Sequence, residues 1–245
     1  MDYGERARTQ SRILNELIAA KKKIEKLMET DYEFKQKLAN ADYSQIDKQT
    51  MQTRAFAGHL REVLREDRVS QLRTDDVINM FKLVACGQLT IQEKKEVVEL
   101  MGLKEHNRLR LLRQLDRFED EEKFTIGIRN ANFYAYSDDE LQHIAAFLST
   151  ALTANSIDAV KEGLRTLEDA YLIEDVGTLS LVLWAFNPNE FFIMDETAKQ
   201  AMWRTFGIAL PTNPYNYADL DDIFYIIKYK NNLSHYGQVD YLIRC

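Results

Sequence analysis

Apolar side chains recur at helical spacing along most of the chain, and this pattern predicts an all-α protein. In residues 4–29 and 45–66 they return every three or four positions, which places them on one face of a helix. The 245 residues include only 9 Gly and 3 Pro, fewer than an all-β protein needs for its turns. We therefore expect a long helical arm at residues 4–67 that leads to packed helices.

Helix starts are predicted by capping residues as well as by periodicity. Thr90 and Ser137 each stand three residues before a glutamate, which is the spacing of a capping box. Residues 75–86 are strongly apolar and are expected to form a core helix. Further helices are expected at residues 104–119, 156–171, 219–230 and 236–244.

The helical pattern breaks at residues 120–137, where apolar residues alternate briefly as in a strand or an extended connector. The charge balance changes at the same point. Residues 1–130 carry 25 Lys and Arg against 23 Asp and Glu, whereas residues 131–245 carry 7 against 16. We expect three parts: the arm (1–67), a helical cluster (68–130) and a C-terminal helical domain (131–245).

The most informative stretch is residues 172–207. An apolar run stops just before Pro188, because a helix does not easily continue through proline. A short apolar connector follows at residues 191–194, and Asp195 then opens a polar helix. Gly207 is a common type of residue just after a helix C-terminus. The predicted order is therefore helix, turn, connector, aspartate and helix.

This order resembles the helix-hairpin-helix DNA glycosylase superfamily and its relatives in bacterial restriction and defence proteins. The resemblance implies that Gly177 lies in the hairpin that meets the DNA backbone, and that Asp195 stabilises a sugar cation and orients a water. The Leu-Pro-Gly-x-Gly hairpin of the family is replaced here by residues 173–177, of which two are acidic. The lysine of bifunctional members would fall near Leu179 and is absent. The Asp240-Tyr-Leu sequence near the C-terminus is a second point of resemblance.

Asp195 has a second interpretation, as the N-cap of the helix that follows it. An aspartate at that position accepts hydrogen bonds from backbone N–H groups of the first turn, and its charge suits the positive end of the helix dipole. Glu196 fits the first turn for the same reason. Both interpretations of Asp195 predict a helix that starts at this point.

Four arginines of the predicted helix at 104–119 form the best phosphate-binding candidate in the chain: Arg108, Arg110, Arg113 and Arg117. The last three fall on one helix face. The alternative is that these cations pair with Asp and Glu side chains on the same helix or on others. Phosphate contacts depend on Lys and Arg, so the acidic C-terminal part alone is poorly suited to nucleic acid.

Several classes of function lack their sequence signals. The chain has no Gly-rich phosphate loop, no His-Glu-x-x-His motif, no nucleophile elbow and no Cys-x-x-Cys. Four scattered histidines and two cysteines suggest no metal site, and we expect neither a metal nor another cofactor. No apolar run reaches membrane-spanning length and the N-terminus lacks an apolar signal core, so we expect a cytoplasmic protein without a membrane partner. Whether the protein is an enzyme stays open.

Two functions are compatible with these patterns. The first is a nucleic-acid-binding protein with a degenerate DNA glycosylase-like helical domain, in phage defence or DNA processing, with DNA as its partner. The second is an acidic all-α interaction module or inhibitor, which offers carboxylates where a target expects phosphates. In either case we expect a protein partner or a second copy to cover the N-terminal helices, because an exposed apolar face favours burial.

Overall fold

A computed structural model describes residues 3–68, 71–118, 136–154, 156–210 and 217–244. These residues contain twelve α-helices, one π-helical segment and no strand, so the predicted all-α fold is confirmed. No described helix is long and apolar enough to cross a membrane. The helices are α1 (Tyr3–Thr30), α2 (Tyr32–Asn40), α3 (Ser44–Asp67), α4 (Thr74–Met80), α5 (Ile91–Leu100), α6 (Glu105–Leu115), α7 (Asp138–Thr153), α8 (Ile157–Asp169), α9 (Gly177–Phe186), α10 (Glu196–Phe206), α11 (Tyr217–Lys230) and α12 (Tyr236–Arg244), and the π-helical segment is Phe81–Ala85.

Both predicted capping boxes are confirmed. The Thr90 hydroxyl accepts a hydrogen bond from the N–H of Glu93, whose carboxylate accepts one of 2.7 Å from the N–H of Thr90. Ser137 and Glu140 exchange the same pair of hydrogen bonds at the start of α7. Each box satisfies two N–H groups that a helix N-terminus leaves without a partner, which is why α5 and α7 begin where they do.

Helices α1 and α11 lie side by side and run in the same direction. Lys21 Nζ is 3.4 Å from Asp222 Oδ2, and Lys230 Nζ is 3.2 Å from Glu29 Oε1. Both contacts join residues 201 positions apart, which indicates a single register for the pair. In this register residues 3–15 lie beyond the start of α11, which corresponds to about 20 Å of helix.

The N-terminal part of α1, residues 3–18, is called here the α1 overhang. Leu14 is 59% exposed and Ile18, one helical turn later, is 44% exposed. Leu17 packs only partly against the core. The apolar stripe of α1 therefore continues past the region where α11 covers it.

Helix α3 lies in the core, and the extended arm expected at residues 4–67 is not confirmed. The apolar face of α3 is buried against α6, α7, α9 and α12, with Phe56, Leu60, Val63 and Leu64 each no more than 1% exposed. Helix α2 separates α1 from α3, and α1 packs chiefly against α11. The apolar stripes of α1 and α3 are similar but are covered by different helices. Periodicity predicts that such a stripe is buried, but it does not say which helix buries it.

One hydrophobic core contains residues from all three predicted parts of the chain. Helix α9 of the C-terminal part packs against α3 and against the π-helical segment, which replaces the end of the single core helix expected at residues 75–86. The boundary and connector predicted at residues 120–137 fall mostly on residues 119–135, outside the described residues.

Lys94 is a fully buried cation beside the π-helical segment. Its Nζ donates a hydrogen bond of 2.8 Å to the main-chain oxygen of Leu83, which belongs to that segment. A π-helical turn departs from the regular backbone ladder, and the ammonium group supplies a donor to one of its oxygens. Burial lowers the pKa of Lys94 to about 7, while Cys86 acts in the opposite direction.

This lowered pKa predicts that the protein becomes more stable as the pH rises above 7. Between pH 7 and the ordinary lysine pKa near 10.5, the unfolded chain keeps a proton that folded Lys94 has lost, so the free energy of unfolding increases with pH. The expected contribution approaches about 1.4 kcal/mol per pH unit between the two pKa values. Urea denaturation of the wild type and of Lys94→Met at pH 7, 8 and 9 measures it. Equal pH slopes for the two proteins would contradict the prediction.

Candidate functional site

The stretch from α9 to α10 is organised by a helix that is buried on all sides. Every residue of α9 from Gly177 to Ala185 is buried, and Trp184 is 0% exposed. The helix ends at Phe186, two residues before Pro188, as predicted. A helix buried on all faces has little freedom to shift, so the residues that follow α9 start from a fixed point.

Ser180 attaches the connector to the start of α9. Its hydroxyl donates a hydrogen bond of 2.6 Å to the main-chain oxygen of Gly177 and accepts one of 3.0 Å from the N–H of Met194. The connector from Phe191 to Met194 is buried, with each residue no more than 3% exposed. The next residue, Asp195, is thereby placed beside the first turn of α9.

Asp195 is the N-cap of α10, as one of its two interpretations predicts. Its Oδ1 accepts a hydrogen bond of 2.9 Å from the N–H of Ala198, and Gly207, with φ of +61°, ends the helix in the left-handed conformation. The same Oδ1 accepts a hydrogen bond of 3.0 Å from Nη2 of Arg244. The Nε of Arg244 lies 2.9 Å from Oδ1 of Asp240. One guanidinium therefore bridges two carboxylates, and we call these three side chains the Asp195 cluster.

The Asp195 cluster is mostly buried. The exposed fractions of the side chains are 17% for Asp195, 15% for Arg244 and 6% for Asp240. Charges removed from water need compensation, and here two carboxylates share one guanidinium while the N-terminus of α10 supports the negative charge of Asp195. The cluster joins the α9 to α10 stretch to the C-terminal helix α12.

Gly177, the glycine expected in the hairpin, lies close to Asp175 and Asp195. It is buried, and a Cβ atom added there would lie 2.7 Å from Oδ2 of Asp175 and 3.4 Å from the Cα of Asp195. The Asp175 carboxylate lies 3.3 Å from Nζ of Lys199. A carboxylate thus stands beside the backbone that the glycosylase resemblance places against DNA, and it would repel a phosphate.

Two of the four candidate arginines, both on α6, are paired with glutamates. Arg108 Nη1 is 2.9 Å from Oε2 of Glu99. Arg110 contacts Glu62 of α3 through Nη2, and its Nη1 is 3.6 Å from Oε1 of Glu66. This is the alternative raised by the sequence, in which acids on other helices neutralise these cations.

The other two arginines are not brought together on one helix face. Arg113 is exposed and forms no ion pair with a described carboxylate. Helix α6 ends at Leu115, earlier than the predicted residue 119, so Arg117 lies beyond the helix. Its Nη1 donates a hydrogen bond of 3.0 Å to Oε1 of Gln114. The expected row of Arg110, Arg113 and Arg117 is therefore interrupted at its last member.

A cleft of about 720 Å³ opens beside the Asp195 cluster, between α2, α10 and α12. Lys37, Arg204 and Arg244 line it together with the acidic residues Asp31 and Glu33. The mixture of charges gives the cleft no strong preference for anions or cations. Among the described residues, no group of three or more His, Cys, Asp or Glu side chains is placed to hold a metal ion.

Arg244 is a partner of Asp195 that the sequence does not predict. The two residues are 49 positions apart, and no local spacing rule connects them. Asp240 and Arg244 stand four positions apart on α12, which is a readable signal for an ion pair along a helix. That signal identifies one half of the Asp195 cluster, whereas the other half depends on how α12 packs against α10.

Comparisons with known proteins add no relative. No family model matches the chain, and neither a curated protein nor a solved structure matches it. The interpretation of the site therefore depends on its geometry.

Substitutions at Asp195 distinguish a structural cluster from a catalytic one. Asp195→Asn keeps a capping side chain, whereas Asp195→Ala removes it, so the alanine variant should be less stable than the asparagine variant by about 1 kcal/mol. Thermal melts of both proteins measure this difference. Glu196→Gln is the matched control, because it removes a carboxylate from the same turn without touching Arg244.

The same variants are assayed for abasic-site formation on damaged and undamaged DNA. For a structural cluster, no variant changes the activity by more than its loss of stability explains. A catalytic Asp195 would instead give an Asp195→Asn protein whose activity falls by orders of magnitude, far more than its loss of stability explains.

Proposed function

We propose that the protein is an all-α interaction module that works by binding another protein chain, and that the Asp195 cluster maintains its fold. The observation that carries this proposal is the engagement of the Asp195 carboxylate, whose Oδ1 accepts hydrogen bonds from both Ala198 and Arg244. A carboxylate that stabilises a sugar cation needs to face the substrate. Here it faces a guanidinium that Asp240 also contacts.

The distribution of charge supports the same proposal. The net charge is −7, and the residues after 130 are strongly acidic. Arg108 and Arg110, two of the four cations proposed to contact phosphate, are paired with glutamates. An acidic surface with paired cations favours a protein partner over a phosphate backbone.

The partner-binding element proposed is the α1 overhang, and the partner is a second copy of this chain. Leu14 and Ile18 stand one turn apart on one face of the overhang and are both exposed. On the opposite side of the helix, Nε of Arg12 lies 3.7 Å from Oε1 of Glu16. Two copies that pack their apolar faces in antiparallel orientation would bury Leu14 and Ile18 of each chain in a two-fold symmetric contact.

This proposal predicts a concentration-dependent dimer. Light scattering coupled to gel filtration should show the average mass rise from one toward two chains as the concentration increases, because a small interface gives weak association. Leu14→Glu combined with Ile18→Glu should keep the protein monomeric by placing charges in the contact. Leu100→Glu is the control, since Leu100 is 83% exposed on α5, outside the overhang. A wild type that stays monomeric at every concentration would refute the self-association.

A second candidate is the nucleic-acid-binding protein with a degenerate glycosylase-like helical domain, in phage defence or DNA processing. Its supporting observation is Arg113, which is exposed and forms no ion pair with a described carboxylate. A native gel with labelled single- and double-stranded DNA at low salt tests it. This candidate predicts that Arg113→Gln weakens binding and reduces its salt dependence, whereas Arg108→Gln, which removes a cation already paired with Glu99, has less effect. The absence of any shift would exclude this candidate.

A further inference from the structure

A small pocket of about 280 Å³ lies where α3, α7, α8 and the end of α9 meet. Its apolar wall is formed by Val160, Leu183 and Phe191, which are buried, and by Ile157 and Phe186, which are half-buried. An apolar wall with a few polar groups at the edge is the usual composition of a small-ligand site. The volume corresponds to about nine water molecules and suits a ligand of similar heavy-atom count.

The polar edge of this pocket is positively charged. Arg54 and Arg61 of α3 line it with Ser156 and Asn187, and its described lining includes no acidic residue. The two arginines are seven positions apart on α3 and so share a helix face. The protein as a whole is acidic, with a net charge of −7. The charged residues that line this pocket are cationic, so the sign of its charge is opposite to that of the whole chain.

Arg61 is held in place before any ligand binds. Its Nε donates a hydrogen bond of 3.0 Å to the main-chain oxygen of Leu152, and its Nη2 contacts the oxygens of Ala151 and Ala154. These carbonyls belong to the C-terminal end of α7 and carry only partial negative charge. Nη1 makes no hydrogen bond to a described residue. The guanidinium is thus fixed in orientation, keeps an N–H pair for another acceptor, and has no described carboxylate as its partner.

The environment of Arg61 also removes water from the cation. Burial lowers its pKa, and the neighbouring positive charge of Arg65 lowers it further. A partly desolvated guanidinium attracts an anion more strongly than a solvated one, because the local dielectric constant is lower. Preorganisation by the three carbonyls reduces the entropy that such an anion would lose on binding.

We propose that this pocket binds a small amphipathic carboxylate, with the apolar group against Leu183 and Phe191 and the carboxylate between Arg54 and Arg61. Guanidinium groups match the geometry of a carboxylate, and the apolar wall accepts a chain of about five carbons. The same chemistry is offered by a free short-chain acid and by the C-terminal residue of a peptide that ends in an apolar side chain. This inference is independent of both functions proposed above.

Titrations of the full-length ¹⁵N-labelled protein by NMR test the proposal with hexanoate as the probe. Hexanoate should shift the amide signals of α3 and of the α7–α8 junction and saturate with a Kd on the order of 1 mM, as suits a ligand of eight non-hydrogen atoms. Hexanol, acetate and inorganic phosphate should each bind at least about fivefold more weakly, because each lacks the charge or the apolar group.

Two matched variants locate the carboxylate. Arg54→Gln should weaken hexanoate binding by at least about fivefold, whereas Arg65→Gln, an exposed arginine of the same helix that does not line the pocket, should change it by less than about twofold. Arg54 is exposed and makes no ion pair with a described carboxylate, so its loss leaves the described ion pairs of the fold intact. Thermal melts of both variants check this.

N-acetyl-leucine and N-acetyl-leucine amide distinguish the two sources of the ligand. Tighter binding of N-acetyl-leucine than of hexanoate, with the amide weak, assigns the pocket to a peptide C-terminus, and the reverse order assigns it to a free acid. The proposal is overturned if hexanoate fails to saturate below about 20 mM, if hexanol binds as well as hexanoate, or if Arg54→Gln and Arg65→Gln bind alike.

Discussion

The burial of α9 is the constraint on which the rest of the structure depends. A largely apolar helix that is buried on every face must be surrounded by other apolar surfaces, since water on any side would cost the hydrophobic gain. Two of these surfaces come from α3 and from the π-helical segment, both far from α9 in sequence. Placing Trp184 at 0% exposure therefore requires that the N-terminal helices be in position first or at the same time. An extended arm at residues 4–67 would not meet this requirement, because α3 lies within those residues and covers part of α9.

The Asp195 cluster connects the C-terminal helices α10 and α12 to the buried helix α9. Ser180 joins the connector to α9, Asp195 caps α10, and Arg244 joins α12 to the cap. A buried ion pair contributes little net stability when it forms, but removing one member leaves a costly unpaired charge. The cluster therefore disfavours any arrangement of α10 and α12 that separates Asp195 from Arg244.

The sequence predicted the helices well and their partners poorly. Capping residues such as Thr90 and Asp195 act within one turn, so their effects can be read from four or five consecutive residues. Arg244 and the α11 register depend on contacts 49 and 201 positions away, which no local pattern encodes. The same limit applies to the candidate arginines: their spacing on α6 was readable, whereas the glutamate that neutralises Arg110 lies on α3.

The parallel register of α1 and α11 has a consequence for synthesis of the chain. The residues that cover α1 are made about 200 positions after it, as the contact between Lys21 and Asp222 requires. At about 5–20 residues per second, the ribosome needs roughly 10–40 s to supply them. During this interval the apolar stripe of α1 has no α11 to pack on, and it is available to chaperones or to the stripe of another nascent chain. Assembly of two copies during translation would therefore compete directly with the folding of one.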